Sequence, residues 1–129
     1  MAQENLDALK RFYERWAVGD WTDTSIFDRY AVGVMPDPTP QPHYGLEAMG
    51  KYWRRFLEGW DDIRMRATEY RQAGDSFVVS VRRLASGSGS GVEVADQAFH
   101  VWTFRGERAI RIEVFEREDE ALEAAGLSE

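Results

Sequence analysis

Residues 97–115 read QAFHVWTFRGERAIRIEVF, and this stretch decides the fold. The tight turn Arg105-Gly106-Glu107 divides it into two segments in which apolar side chains recur at every second position. Alternation with a period of two, interrupted by a short turn, is typical of two antiparallel strands. We therefore predict strands over residues 92–105 and 108–116, paired as a hairpin.

The alternation also assigns the side chains of this hairpin to two faces. One face has an apolar set, in which a single histidine is embedded, and the other mixes polar and apolar residues. Because Trp and Phe are costly to leave in water, we expect the first set to face the interior. The inner set is Ala98, His100, Trp102, Phe104, Ile110, Ile112 and Val114, and the outer apolar residues are Phe99, Val101 and Phe115.

Upstream of the hairpin the apolar period is that of helices, and it changes to that of strands after Gly59. Three helices followed by one long sheet indicate an α+β arrangement with a curved antiparallel sheet. The four prolines at 36, 38, 40 and 42 predict an extended loop without regular structure. The predicted elements are helices at 3–18, 23–30 and 46–59, strands at 31–36, 63–68 and 76–85, and a short acidic C-terminal helix at 119–125.

Composition excludes several classes of protein. The chain has 129 residues, 16 basic and 23 acidic side chains and no cysteine, which fits one domain over 1–129 without disulfides or thiolate metal sites. A net charge of −7 argues against nucleic acid as a partner, since phosphate binding depends on Lys and Arg. No secretory signal or membrane-spanning run is visible, so we expect a cytoplasmic protein that does not bind membranes.

Two polar residues are candidates for chemistry. His100 stands among large apolar residues, where desolvation would favour its neutral form, although a histidine bonded to a backbone carbonyl would fit the same pattern. Asp37 lies between Pro36 and Pro38, so its carboxylate is held in place and would suit a general base in an apolar cavity. The alternative for Asp37 is a carboxylate that bonds its own turn.

The sequence gives no support for a metal or an organic cofactor. Only two histidines are present, and His43 in the proline segment is typical of a solvated loop residue. The adjacent pair Asp61-Asp62 would point to opposite faces of a strand and could not chelate one ion.

The chain resembles the cone-shaped α+β superfamily that includes nuclear transport factor 2, ketosteroid isomerase and the SnoaL-like polyketide cyclases. The residues that carry the resemblance are the helix end Ala17-Val18-Gly19-Asp20, the segment Pro36-Asp37-Pro38 with His43-Tyr44-Gly45, the two strands of the hairpin, and the ending Glu120 to Leu127. The resemblance implies a cone-shaped, curved antiparallel sheet wrapped by three N-terminal helices. It does not imply one activity, because this scaffold hosts isomerases, cyclases, epoxide hydrolases and proteins without catalysis.

The resemblance to ketosteroid isomerase can be carried over residue by residue. That family uses an Asp base and an oxyanion hole made of a Tyr and a protonated Asp. Asp37 matches the base, Phe12 stands at the position of the Tyr with Tyr13 one residue away, and His100 stands at the position of the protonated Asp. The position that matches the catalytic Asp of the SnoaL-like cyclases holds Val114.

These observations support two hypotheses from different classes. The first is a cofactor-independent isomerase or cyclase in which Asp37 and His100 transfer a proton on a small hydrophobic carbonyl compound. The second is a non-catalytic module that binds a hydrophobic ligand or dimerises. Epoxide hydrolysis would need an Asp-Arg-Asp set such as Asp96, Arg82 and Asp37. The residues expected to bind substrate are Phe12, Tyr13, Trp16, Met35, Tyr52, Trp53, Trp102, Phe104, Ile112 and Val114.

We also predict a homodimer formed through the outer face of the sheet. A large bare apolar patch is rare on a monomer, and the outer residues Phe99, Val101 and Phe115 would form one.

Overall fold

Three helices and six strands account for the regular structure of the described residues, which are 2–36, 39–87, 89 and 91–127 of a computed structural model. The elements are α1 (Ala2–Ala17), β1 (Phe27–Met35), β2 (Gln41–Tyr44), α2 (Gly45–Glu58), β3 (Trp60–Ala73), β4 (Ser76–Gly87), β5 (Glu93–Arg105), β6 (Arg108–Phe115) and α3 (Glu118–Ala124). The predicted hairpin is therefore confirmed as β5 and β6.

The strands form one curved six-stranded sheet in the order β2-β1-β6-β5-β4-β3, which does not close into a barrel. Neighbouring strands run antiparallel except β1 and β6, which are parallel. The prediction of a purely antiparallel sheet was therefore wrong. The long connection through β2 to β5 separates β1 from β6 in sequence, and a parallel pair needs such a crossover.

The predicted helix at 23–30 is absent, because the chain turns at residues 25–26 and then enters β1. The carboxylates of Asp23 and Asp28 accept the backbone N–H groups of Ser25 and Tyr30 at 2.9 and 2.8 Å. Such local bonds compete with helix formation. Two helices rather than three thus precede β3 in the described chain.

The proline segment also contains regular structure that was not predicted. β2 includes Pro42, which lies opposite Val34 of β1. β2 is an edge strand, where a residue without an N–H donor can be accommodated.

The main core lies between the inner face of the sheet and the two long helices. α1 contacts β3, and α2 contacts β1. Of the residues of α1 that the 3.6-residue period selects, Leu9, Phe12, Tyr13 and Trp16 are buried there, and Leu6 is partly buried. None of the helices in the described part is long and apolar enough to span a membrane.

A second, smaller core lies on the outer face of the sheet and corrects the argument made for a dimer. α3 packs Ala121 and Leu122 against Phe99 and Val101, which are only 9% and 5% exposed within the single chain. The outer apolar residues are therefore largely covered by the protein itself rather than bare. The homodimer stays a prediction, but the outer apolar residues no longer provide an argument for it.

Candidate functional site

His100 faces the inner side of the sheet, as the alternation predicts, and it is 3% exposed. Its neighbours in register on β4 and β6 are Val79 and Val114. Both are apolar, so the imidazole has no carboxylate across either strand pair. Val114 occupies the position at which the cyclase resemblance would require an aspartate.

The imidazole belongs to a buried chain of hydrogen bonds. The Trp102 Nε1–H donates to the hydroxyl oxygen of Tyr13 at 2.8 Å, and that oxygen lies 2.6 Å from His100 Nδ1. An indole N–H can only donate, so the Tyr13 oxygen accepts from Trp102. We assign the Tyr13 O–H as the donor to Nδ1, because within the described residues no other acceptor bonds this hydroxyl group. Nδ1 is then an acceptor, and the proton of the neutral ring is on Nε2.

The surroundings of these three hydrogen-bonded side chains favour the neutral forms of Tyr13 and His100. Burial lowers the pKa of His100 from its ordinary 6.5 to about 3, and the nearby Arg83 guanidinium adds to the lowering. Burial also raises the pKa of Tyr13 well above its ordinary value of 10. At neutral pH the site therefore holds a tyrosine that keeps its proton and an imidazole that can donate one hydrogen bond through Nε2–H.

His100 lies at the wall of a cavity of about 910 Å³ enclosed by the sheet, α1 and α2. Most of the side chains that line it are aromatic or aliphatic. Seven of the ten residues predicted to bind substrate are among them: Phe12, Trp16, Met35, Tyr52, Trp53, Ile112 and Val114.

The other three predicted contacts, Tyr13, Trp102 and Phe104, do not line this cavity. Tyr13 and Trp102 lie behind His100 and hold its ring through the hydrogen bonds described above. Phe104 packs edge to face against Phe77 in the core. Alternation gives the face of a strand correctly, but it does not tell how far along that face the cavity extends.

Asp37 and Pro38 lie outside the described residues. Met35 and Pro36, which directly precede Asp37, line the cavity. The role of Asp37 as a base, and its convergence with His100, stay predictions from the sequence.

The cavity also contains an ion pair that the sequence analysis missed. Arg83 and Asp96 lie opposite each other on β4 and β5, and both line the cavity. The sequence analysis had paired Asp96 with Arg82, but Arg82 is exposed and lies opposite Gln97. The alternation of Phe77, Val79 and Val81, continued by one step, would have selected Arg83 as the inward arginine.

Indole rings form much of the helical wall of the cavity. The Trp16 and Trp53 rings stack with centroids 4.9 Å apart at an interplanar angle of 11°, and Phe56 stacks on Trp53 at 5.1 Å. Trp21 adds an edge contact to Trp16 at 5.1 Å. The helical period predicted Trp16 and Trp53 here, whereas Trp21 follows α1 in a segment without regular structure and gave no periodic signal.

A metal centre is not visible in the described ranges, where no three His, Cys, Asp or Glu side chains are grouped so that they could hold an ion.

A curved mixed sheet with two helices over a largely apolar cavity defines a class of small α+β domains. The model of the SnoaL-like domain family matches residues 9–112, which run from the second half of α1 through α2 and β1 to β5 into β6. The chain belongs to this family, as the resemblance seen in the sequence implied. Among curated proteins, none matches this sequence.

Solved structures agree with this assignment at the level of the fold. An NTF2-like protein of unknown function from Burkholderia pseudomallei is 18% identical, with a TM-score of 0.78 over 93% of this chain and 95% of the other. A candidate SnoaL-like polyketide cyclase from Jannaschia is 17% identical, with a TM-score of 0.78 over 98% and 94%. IdmH, a candidate polyketide cyclase from Streptomyces antibioticus, is 16% identical, with a TM-score of 0.72 over 94% and 96%.

Proposed function

We propose that this protein is a cofactor-independent enzyme that moves a proton on a small, mainly apolar carbonyl compound held in the cavity. The observation that carries the proposal is the chain of hydrogen bonds from Trp102 through Tyr13 to His100. It holds a neutral imidazole at the wall of an apolar cavity, with Nε2–H as the donor available to a ligand. A donor that is held in position before the reaction, in a largely apolar site, stabilises developing negative charge better than a freely moving donor in bulk water.

The proposed step begins when a base removes a proton from the carbon next to the carbonyl group. The electron pair of the broken C–H bond forms a C=C bond, and the carbonyl oxygen becomes an enolate oxygen. His100 Nε2–H donates a hydrogen bond to that oxygen without giving up its proton. In a compound with a C=C bond one carbon further from the carbonyl group, return of the proton from the base to the far end of the conjugated enolate completes an isomerisation. In a cyclisation, the enolate carbon instead forms a C–C bond to a second carbonyl carbon of the same molecule, the π electron pair of that C=O bond moves to its oxygen, and this oxygen takes the proton back from the base.

Asp37 is the proposed base. It follows Met35 and Pro36, which line the cavity, so the role fits its place in the chain. A positioned general base contributes about 10²- to 10⁴-fold in rate, and one oxyanion donor about 10²- to 10³-fold. Multiplied, the two factors give about 10⁴- to 10⁷-fold, which reaches the lower end of enzymatic rate enhancements.

The experiment uses 2-tetralone, an apolar ketone with acidic hydrogens beside the carbonyl, in D₂O, and follows the loss of those hydrogens by proton NMR. We expect the wild-type protein to accelerate the exchange and Asp37→Asn and His100→Asn to lower that acceleration, each by at least about tenfold. Arg82→Gln is the matched control, because it changes an exposed residue on the outer face. Equal rates for wild type and both site variants would remove Asp37 and His100 from the mechanism.

Binding without catalysis is the second candidate, and the cluster of aromatic rings in the wall of the cavity favours it. The rings of Trp16, Trp53 and Phe56 form a stack. Such a stack can hold a flat apolar ligand by contact alone. Binding of 2-tetralone, seen as quenching of tryptophan fluorescence, with exchange no faster than in buffer would support this alternative.

A further inference from the structure

The ion pair between Arg83 and Asp96 is the most strongly polar feature of the cavity wall. Arg83 Nε lies 2.7 Å from Asp96 Oδ1, and Nη2 lies 2.8 Å from Oδ2. This two-point contact fixes the plane of the guanidinium group, since both bonds must be satisfied together.

The pair leaves most donors of the guanidinium group unused. A guanidinium group has five N–H donors. Asp96 accepts two of them, and no other acceptor within the described part of the chain contacts the remaining three, on Nη1 and Nη2. The Arg83 side chain is 18% exposed and lines the cavity, so these donors border the space that a ligand would fill, whereas the Asp96 side chain is 43% exposed.

Structural stabilisation alone is a weak explanation for this pair. An isolated ion pair that is partly removed from water adds little to the free energy of folding, because desolvation offsets most of the attraction. Apolar side chains at positions 83 and 96 would continue the apolar surface of the cavity made by Ala85 and Val94, which pair on the same two strands. A charged pair at that place is better explained by a ligand that needs it.

The other charged groups around the cavity are less suited to hold a ligand. The carboxylate of Asp20 accepts bonds from the backbone and side chain of Thr22, and Asp23 pairs with Arg15. Arg54 and Glu116 line the cavity too, but both are exposed. Arg83 alone among these charged lining residues combines a fixed orientation with low exposure.

We propose that Arg83 binds an anionic oxygen of the ligand, so that the cavity takes an apolar molecule that bears a carboxylate or another ionised oxygen group. This inference rests on the proposed function, because it assigns a second polar contact to the ligand whose carbonyl oxygen meets His100. Asp96 orients the guanidinium group and offsets its charge while the cavity is empty.

The test uses two fluorescent probes with the same ring system. 8-Anilinonaphthalene-1-sulfonate carries one sulfonate, and N-phenyl-1-naphthylamine lacks it. Each is titrated, at constant ionic strength, into wild type, Arg83→Gln, Asp96→Asn and Arg82→Gln, and binding is followed by probe fluorescence and by quenching of tryptophan fluorescence. The quantity compared is the ratio of the two dissociation constants, sulfonate probe over neutral probe.

We expect Arg83→Gln to raise this ratio about tenfold, equivalent to about 1.4 kcal/mol. Asp96→Asn should lower the ratio, since Arg83 then faces the ligand with its full charge. The two variants should therefore change the ratio in opposite directions. Loss of structure in one of them could not produce both changes. Arg82→Gln removes the same charge from the protein on the outer face, and it should leave the ratio unchanged.

Two outcomes would overturn the inference while leaving the proposed function intact. In the first, the neutral probe binds but Arg83→Gln leaves the ratio at the wild-type value. In the second, Arg82→Gln and Arg83→Gln raise the ratio equally, which would mean a general effect of charge. Failure of the neutral probe to bind wild type would instead refute the cavity as an apolar ligand site, and with it the proposed function.

Discussion

The buried imidazole of His100 should make the stability of the protein depend on pH in a way that one substitution removes. Burial and Arg83 lower the pKa of His100 in the folded protein to about 3, whereas an unfolded histidine has a pKa of about 6.5. As the pH falls below 6.5, the unfolded chain therefore takes up a proton that the folded protein refuses. The contribution to stability is fully present above pH 6.5 and is lost progressively as the pH falls toward 3.

The size of the effect follows from these two values. At pH 5 the ratio of protonated to neutral histidine in the unfolded chain is about 30, whereas the folded histidine is still almost entirely neutral. Relative to pH 7.5, the contribution of His100 to the free energy of unfolding is therefore smaller by about RT ln 30, or about 2 kcal/mol.

The assay is urea denaturation followed by tryptophan fluorescence at pH 7.5 and pH 5, for wild type and His100→Asn. The asparagine oxygen can still accept the bond that Tyr13 donates to Nδ1, but the side chain has no group that titrates in this range. The other histidine, His43, and all carboxylates are present in both proteins, so their contributions cancel. Between pH 7.5 and pH 5, the free energy of unfolding of wild type should fall by about 2 kcal/mol more than that of the variant.

Equal losses in the two proteins, within about 0.5 kcal/mol, would refute the burial argument for His100. A direct measurement covers the case in which His100→Asn does not fold. The nitrogen NMR shifts of His100 in wild type should report a neutral ring with the proton on Nε2 down to pH 5. A ring that becomes charged near pH 6 would contradict the same argument.

Three further substitutions test the supports of the site and of the sheet. Tyr13→Phe removes the donor to His100 Nδ1, so we expect a loss of about 1–3 kcal/mol in unfolding free energy and nitrogen shifts that average two tautomers. Asn5→Ala removes the 3.0 Å bond from Asn5 to the carbonyl oxygen of Gly106, which ties α1 to the β5–β6 turn, and should cost about 1–2 kcal/mol in urea denaturation. Leu122→Ala should cost at least about 2 kcal/mol and uncover the outer core, and light scattering of both proteins shows whether that face then associates.

The sequence was sufficient to predict the helices and strands in which the apolar residues recur with one undisturbed period. α1, α2 and the β5–β6 hairpin lie within a few residues of their predicted bounds, because one buried face imposes one period. The predicted strand at 31–36 matches the second half of β1, but the first half was assigned to a helix because Ile26, Phe27 and Tyr30 have a spacing that suits a helix turn. The pairing partner of β1, β6, lies far along the chain. Local spacing contains no information about a partner some eighty residues away, such as Ala109 for Phe27.

The site was predictable in part for the same reason. Alternation identified His100 as an inward histidine, but its partner Tyr13 is on α1, 87 residues away, and no period links the two. The resemblance to ketosteroid isomerase directed attention to positions 12 and 13. It did not indicate that Phe12 would line the cavity while Tyr13 holds the histidine from behind. That difference depends on how α1 is rotated against the sheet, which only packing determines.

The inward row of β5 shows how one strand can set both the stability and the chemistry of this protein. Asp96, Ala98, His100, Trp102 and Phe104 follow one another along the same face, and their surroundings change from an ion pair through a buried imidazole to a packed core. A shift of this row by one residue would turn all five side chains to the other face. The same register that buries Trp102 and Phe104 therefore also holds His100 and Asp96 at the cavity wall, so that the packing of the core and the placement of these two polar groups depend on one alignment of strands.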